Sequence, residues 1–397
     1  MKKILSSILV LFFYRDSYSE AMFAGNITTI NPRSEVNALR NPAMLSRQKK
    51  DNFSVIYVYS YLVNSDIESD VNVSGMEVNS KYNLDESYNG AILFSGVWAS
   101  GKSAYGLGIS KTGDGQVKLS SSDFILASDK ITEDKKFLGS SLLLSYSYRI
   151  TGKQSLGVQI ETIFSNEYID KDMSAENKEI ESSTTKTYTG ATVGYYIHDN
   201  HFSFGAMLKP GMFRTEKREY DVTNKTTTTE DHKTISSHYA HHEGTSIIIG
   251  FGIRPSNKFM FAFEGGGIIP FTKEEKKYSD SLVKQTQKNE LLYAAITRTG
   301  IDYSLNPYIT IGLGCGYTHY SADFHTTDDN TNGSFDFSII QVIGGIKIKP
   351  SRNYNLLFGL DYNRLIQNMK MEETGVSIEL DLVQDSLNYT AGISCYY

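Results

Sequence analysis

Residues 139–164 read GSSLLLSYSYRITGKQSLGVQIETIF, and this stretch decides the fold. It holds two segments of strand length, 139–150 and 154–164, separated only by Thr151–Lys153. In the second, Leu156, Val158, Ile160 and Phe164 fall on one face, and Ser155, Gly157, Gln159 and Glu161 on the other. Strand side chains alternate strictly between two faces, so such a segment separates an apolar medium from one that tolerates water. The same division recurs in 308–318, where Ile309, Ile311, Leu313, Cys315 and Tyr317 oppose Thr310, Gly312, Gly314, Gly316 and Thr318. It recurs again in 354–362, where Tyr354, Leu356, Phe358, Leu360 and Tyr362 oppose Asn355, Gly359 and Asp361.

Outward from that hairpin, the chain after residue 50 repeats one plan. Strands are expected at 53–63, 87–99, 103–111, 139–150, 154–164, 187–197, 201–214, 238–254, 258–269, 290–303, 308–320, 335–349, 354–366 and 385–397, fourteen in all. Six connections are short: Ser100–Lys102, Thr151–Lys153, His198–Asn200, Pro255–Asn257, Ser304–Pro307 and Pro350–Asn353. Seven are long and hydrophilic: 64–86, 112–138, 165–186, 215–237, 270–289, 321–334 and 367–384. Short and long take turns along the chain. Outer-membrane barrels behave this way, because successive connections lie on opposite sides of the membrane, short turns inside and longer loops outside. A soluble sandwich or propeller has no reason to alternate loop length. The expected fold is therefore an all-β transmembrane barrel of about fourteen antiparallel strands over 53–397.

Composition agrees. Of 397 residues, 32 are Gly and 27 Tyr, which suits tight turns and interfacial aromatics, with Trp98 beside the first short turn. The net charge of -6 carries no basic run, which argues against a nucleic-acid surface. Cys315 and Cys395 are too few for a disulfide scaffold and have no metal-ligand spacing. At the start, Lys2 and Lys3 precede the apolar run Ile4–Phe13, and small residues follow at Ser17-x-Ser19 or Ser19-x-Ala21. That is a signal peptide, assigned to 1–19, and it is too short to span a bilayer. At the other end the chain stops inside a strand. Thr390-x-Gly392-x-x-Cys395-x-Tyr397 is similar to the C-terminal signal read by the barrel assembly machinery, with Gly392 and Tyr397 as its marks.

Several motifs fail on context. Gly96–Ser103 has the letters of a phosphate-binding loop, but Ser103 opens an alternating strand instead of a helix, so no nucleotide is expected. His232, His238, His241 and His242 cluster without the fixed spacing of a metal site. There is no Gly-x-Ser-x-Gly elbow and no His-Glu-x-x-His pair, so no catalytic residues, cofactor or metal are assigned.

Glu20–Asn52 lies before the first strand and does not alternate, yet it carries Phe23, Ile27, Ile30, Pro32, Leu39, Pro42, Met44 and Leu45. A fourteen-stranded barrel is wide enough to need filling, since eight strands already enclose room for side chains and sixteen leave an aqueous channel. The segment at 20–52 is the expected periplasmic plug. Val36-Asn-Ala-Leu-Arg40-Asn41-Pro42-Ala43-Met44-Leu45, then the strand FSVIYVYSYLV, then Asp70-Val-Asn-Val-Ser-Gly75, resembles the start of the FadL family. Its members carry long-chain fatty acids and other hydrophobic compounds across the outer membrane.

The resemblance implies a fourteen-stranded barrel, a hatch built around Arg40, Asn41, Pro42 and Ala43, and passive uptake of an apolar ligand without a cofactor. It implies that ligand touches the hatch, with Phe23 either a ligand contact or a plug anchor. It implies a kink in the third strand, for which Gly106 and Gly108 supply flexibility, or else a smooth inner wall. The chain departs from the family at 165–186 and 215–237, which are strongly polar where the family has a hydrophobic capture groove.

The faces assigned to the lumen are mixed. Ile56, Val58, Leu93, Leu143, Ile163, Met207, Ile248, Leu292, Ile296, Ile343 and Leu357 sit among Gln159, Glu161, Lys209, Arg298 and Asp361. An open porin lines its channel with polar groups; a mixed lumen suits apolar pockets or a surface for the plug. The competing readings are a general diffusion porin and an adhesin or assembly barrel working through its outer loops.

Overall fold

The structure, a computed structural model, describes residues 41–48, 50–73, 76–87, 91–121, 131–173, 178–211, 213–224, 229–239, 245–269, 287–326, 331–373 and 376–397. The signal peptide, Phe23, Arg40, His241 and His242 lie outside the described residues. Seventeen strand segments follow a 3₁₀ turn at Pro42–Arg47. They are β1 Asn52–Val73, β2 Met76–Ser87, β3 Ala91–Ser100, β4 Ser103–Ser121, β5 Ile131–Arg149 and β6 Gln154–Met173. Then come β7 Lys178–His198, β8 Phe202–Lys209, β9 Phe213–Asn224, β10 Thr229–Tyr239, β11 Thr245–Ile253 and β12 Phe259–Ile269. The last are β13 Gln287–Asn306, β14 Ile309–Thr326, β15 Thr331–Ser351, β16 Tyr354–Glu373 and β17 Val376–Tyr396.

Three interruptions account for the difference between seventeen segments and fourteen barrel strands. Segments β2 and β3 both pair with β1 on one side and β4 on the other, so together they are one barrel strand. Likewise β8 and β9 share the partner β7, and β10 and β11 pair with β9 and β8. Every pairing is antiparallel between chain neighbours, and β1 closes on β17 from Asn52↔Tyr396 to Val73↔Val376. Closure removes the sheet edge, which a lipid environment requires of any spanning sheet.

The outer surface is apolar where a strand crosses lipid. Leu156, Val158 and Ile160 of β6 are exposed, as are Phe259, Phe261 and Phe263 of β12 and Leu313 and Tyr317 of β14. Their sequence neighbours Gln159, Met260, Ala262 and Glu264 are buried inside. Trp98 is half exposed at the short-turn end, and the rings of Tyr105 and Tyr146 meet tilted, with centres 5.4 Å apart, as suits an interfacial aromatic belt.

The short turns are held by local chemistry. Gly101 has φ 61, which favours glycine, and the two-residue turn Gly101–Lys102 joins Ser100 to Ser103. The phosphate-loop letters at 96–103 are thus a hairpin. Thr151 Oγ1 accepts from Lys153 N at 3.2 Å and Gln154 N at 3.1 Å. Asn306 Oδ1 accepts from Tyr308 N at 2.8 Å and Ile309 N at 2.9 Å, so that turn falls at Pro307–Tyr308, later than expected.

The outer connections are the main correction. Six of the seven segments read as long polar loops are largely paired strand. The register runs to Val73↔Met76, Ser121↔Ile131, Met173↔Lys178, Asn224↔Thr229, Thr326↔Thr331 and Glu373↔Val376. The seventh, 270–289, lies almost wholly outside the described residues. Hydrophobic alternation stops where lipid stops, but backbone pairing does not need it. Polar cross-strand pairs such as Lys370–Glu379, at 2.7 Å, serve in its place. The 22 residues of β1 extend about 70 Å at ~3.3 Å each, against the 9–11 that a tilted strand needs to cross lipid.

Candidate functional site

The segment Asn41–Gln48 lies against the inner wall near the short-turn end. Asn41 is a helix cap. Its Oδ1 accepts from Ala43 N at 3.1 Å, and its Nδ2 donates to Tyr195 O at 3.4 Å. Pro42 follows at the first helical position, where a missing N–H costs nothing and a fixed φ helps. Ser147 Oγ donates to Ala43 O at 3.0 Å, and Arg149 donates to Ser46 O. Asn41, Ala43 and Leu45 are fully buried, Met44 and Ser46 nearly so.

The wall makes room by giving up side chains. A Cβ on Gly157 would stand 2.6 Å from Pro42 O and closer still to the Pro42 carbonyl carbon and Ala43 N. One on Gly194 would strike Asn41 Oδ1 and stand 3.0 Å from Pro42 Cδ. One on Gly106 would stand 3.2 Å from Leu45 Cδ1. Gly106 therefore seats Leu45. Pairing runs unbroken through Gly106 and Gly108 on both sides, and the register shift of β4 against β5 comes at Thr112/Gly115. Further shifts fall nearby in β1, at Leu62/Asn64 against β17 and at Tyr61/Asp66 against β2, next to the interruption between β2 and β3.

Around the seated segment are two apolar clusters, Ala43, Met44, Tyr196, Met260 and Ala262, and Leu45, Val97 and Ala104. A third lines the lumen with Ile56, Val58, Ala91, Leu357 and Leu93. The charged residues among them have partners. Arg298 donates to Glu264 at 3.0 Å, with Glu264 fully buried. Lys209 meets Glu161 at 3.5 Å, and Lys186 meets Glu167 at 3.1 Å with both side chains buried. Asp361 Oδ2 accepts from Gln341 at 3.0 Å and Asn388 at 3.5 Å. Pairing of this kind is what a desolvated charge requires. The sequence reading named both Lys209 and Glu161, named Arg298 and Asp361 without their partners Glu264 and Gln341, and missed Glu167 and Lys186 altogether. Glu264 precedes three glycines and Gln341 lies within an apolar strand, so neither stands out before the register is known.

At the short turns Lys153 bridges to Asp199 at 2.8 Å. That hydrogen bond, then the one from Asn200 N, holds the Asp199 carboxyl below its ordinary pKa. No group of three or more potential metal ligands occurs among the described residues. Gly392 lies inward opposite Ile56, where a Cβ would stand 2.9 Å from Ile56 Cγ1. Tyr397 is 79% exposed at the chain end, and its N–H donates to Asp51 O at 3.1 Å.

A closed antiparallel barrel of fourteen strands, belted outside by apolar side chains, is an outer-membrane architecture. In fold, the chain is similar to several solved outer-membrane channels. With a Pseudomonas aeruginosa FadL homologue the TM-score is 0.63 at 11% identity, over 94% of this chain and 96% of that one. With the Ralstonia pickettii toluene transporter TbuX it is 0.60 at 12%, over 96% and 97%. With the P. putida toluene transporter TodX it is 0.59 at 11%, over 91% and 94%. No protein-family model matches the sequence, and no curated protein does. The likeness is one of fold.

Proposed function

We propose that the protein is an outer-membrane channel for passive uptake of small hydrophobic molecules, with Asn41–Gln48 as part of a hatch. One observation carries this reading: apolar clusters line the lumen, while Glu264, Glu161 and Glu167 sit in ion pairs and Asp361 is held by Gln341 and Asn388. A diffusion porin presents free charge to water; paired charge and buried Ile56, Val58 and Leu357 favour an apolar guest. The fold neighbours described as toluene transporters support the same class of cargo. In this reading the register shifts in β1 and β4, where the ladder is irregular, are the points at which a sideways route toward lipid would open.

In this reading Asn41 and Pro42 set the shape of the hatch, and cargo moves down its own gradient without covalent chemistry. Fatty acids and monoaromatics are both candidates. Uptake of labelled decanoate and toluene by proteoliposomes tests the channel, and Asn41→Ala with Pro42→Ala tests the hatch. Uptake equal to protein-free vesicles refutes the channel. Unchanged uptake in the double variant refutes the hatch role. Large steady conductance of the unaltered protein in planar bilayers identifies a porin instead.

A further inference from the structure

The lumenal charges described above have partners, but the short-turn end breaks that pattern. Three arginines gather there: Arg47 at the end of the 3₁₀ turn, Arg149 at the end of β5, and Arg254 just past β11. Arg47 Nη1 donates to Gly152 O at 2.6 Å, and Arg149 Nη2 to Ser46 O. Arg47 Cζ lies 6.0 Å from the centre of the Tyr196 ring. Tyr196 is within electrostatic reach of both Arg47 and Arg254, and Arg47 within reach of Arg149. Arg254 is pinned by its backbone, whose N–H donates to His201 O at 2.8 Å.

Five guanidinium nitrogens remain. Nε and Nη2 of Arg47, Nε of Arg149, and Nε and Nη2 of Arg254 are shielded from solvent without a hydrogen-bond partner among the described residues. None of the three arginines is in an ion pair among the described residues. Asp199, the acid of the adjoining turn, is engaged by Lys153. A guanidinium cannot shed its proton, so such a cluster suits an anionic acceptor. Carboxylate and phosphate match its forked donors best.

We propose that Arg47, Arg149 and Arg254 form an oxyanion site at the periplasmic mouth of the barrel, taking a carboxylate or phosphate group. One arginine belongs to the segment inside the barrel and two to the wall, so a bound anion ties the segment to its seat. The anion comes either free from solution or as the headgroup of an amphiphile. The site stands whether or not the barrel transports apolar cargo.

The test is isothermal titration of full-length, detergent-purified protein with inorganic phosphate, decanoate and, as an uncharged control, decanol. Arg254→Gln is the main variant, because the Arg254 side chain makes no described hydrogen bond; Arg254→Lys keeps the charge without the fork. Phosphate binding that weakens at least tenfold in Arg254→Gln and less in Arg254→Lys is the expected result. Decanoate that competes with phosphate, where decanol does not, identifies a headgroup source. Phosphate binding without such competition identifies a free anion. Decanoate binding alone, lost in Arg254→Gln and absent for decanol, also supports the site. If neither anion binds, or Arg254→Gln binds as tightly as the unaltered protein, the site is refuted.

Discussion

Gly157→Ala adds a single methyl group at the closest approach between wall and seated segment. The new Cβ would stand 2.6 Å from Pro42 O and closer to two further backbone atoms. Backbone does not swing aside as a long side chain does, so the segment must retreat by ~1 Å to restore ordinary contact. Overpacking of this kind costs about 1–3 kcal/mol. The retreat also stretches the Ser147–Ala43 and Asn41–Tyr195 hydrogen bonds, each worth about 1 kcal/mol net. Together the seated position loses about 2–5 kcal/mol relative to a displaced one. At 1.4 kcal/mol per tenfold, the displaced population rises by ~30-fold or more. The barrel itself should fold normally, because position 157 points inward and its pairing with Ser147 and Gly194 is backbone only. Planar-bilayer conductance and proteoliposome uptake read the change. Gly344→Ala is the control, since its Cβ would meet only Leu313 Cδ2, at 3.6 Å. Gly157→Ala with the conductance, uptake and melting temperature of Gly344→Ala would refute a tightly seated hatch.

Three further outcomes are expected. Arg298→Met removes the ion-pair partner of the fully buried Glu264 and should lower stability by about 3–5 kcal/mol, whereas Arg298→Met with Glu264→Leu should recover most of it; thermal unfolding in detergent separates the two. Cys315 is exposed beside Leu313 and Tyr317 on the outer face, so in liposomes it should react with a lipid-soluble maleimide and resist a charged one. Asp199 has a lowered pKa from Lys153, so its contribution holds above the ordinary carboxylate range and fades as pH falls through the lowered value. Lys153→Gln should raise the Asp199 titration midpoint measured by NMR.

The membrane-level barrel was legible because lipid imposes a strict rule on alternate residues. Leu156, Val158 and Ile160 have no other reason to share a face, and they are all exposed in the fold. Beyond the lipid that rule lapses. The polar stretches at 165–186 and 215–237 looked like loops because their ladder partners, such as Glu219 for Thr234, leave no apolar mark. The glycine seat was partly visible. Gly157 read as a member of a polar face, but its pairing with Gly194 and its distance from Pro42 emerge only from register. The arginine cluster draws on residues about a hundred positions apart, and no local pattern joins them.

The closing seam between β1 and β17 also bears on assembly order. Its pairs, such as Asn52↔Tyr396, join opposite ends of the chain, and contacts that far apart in sequence form late. The glycines that receive Asn41–Leu45 lie on β4, β6 and β7, a run of hairpins made of local contacts. That cradle is complete while the ring is still open. The segment can be laid in from the side and shut in when the seam zips, with no threading of chain through a finished pore.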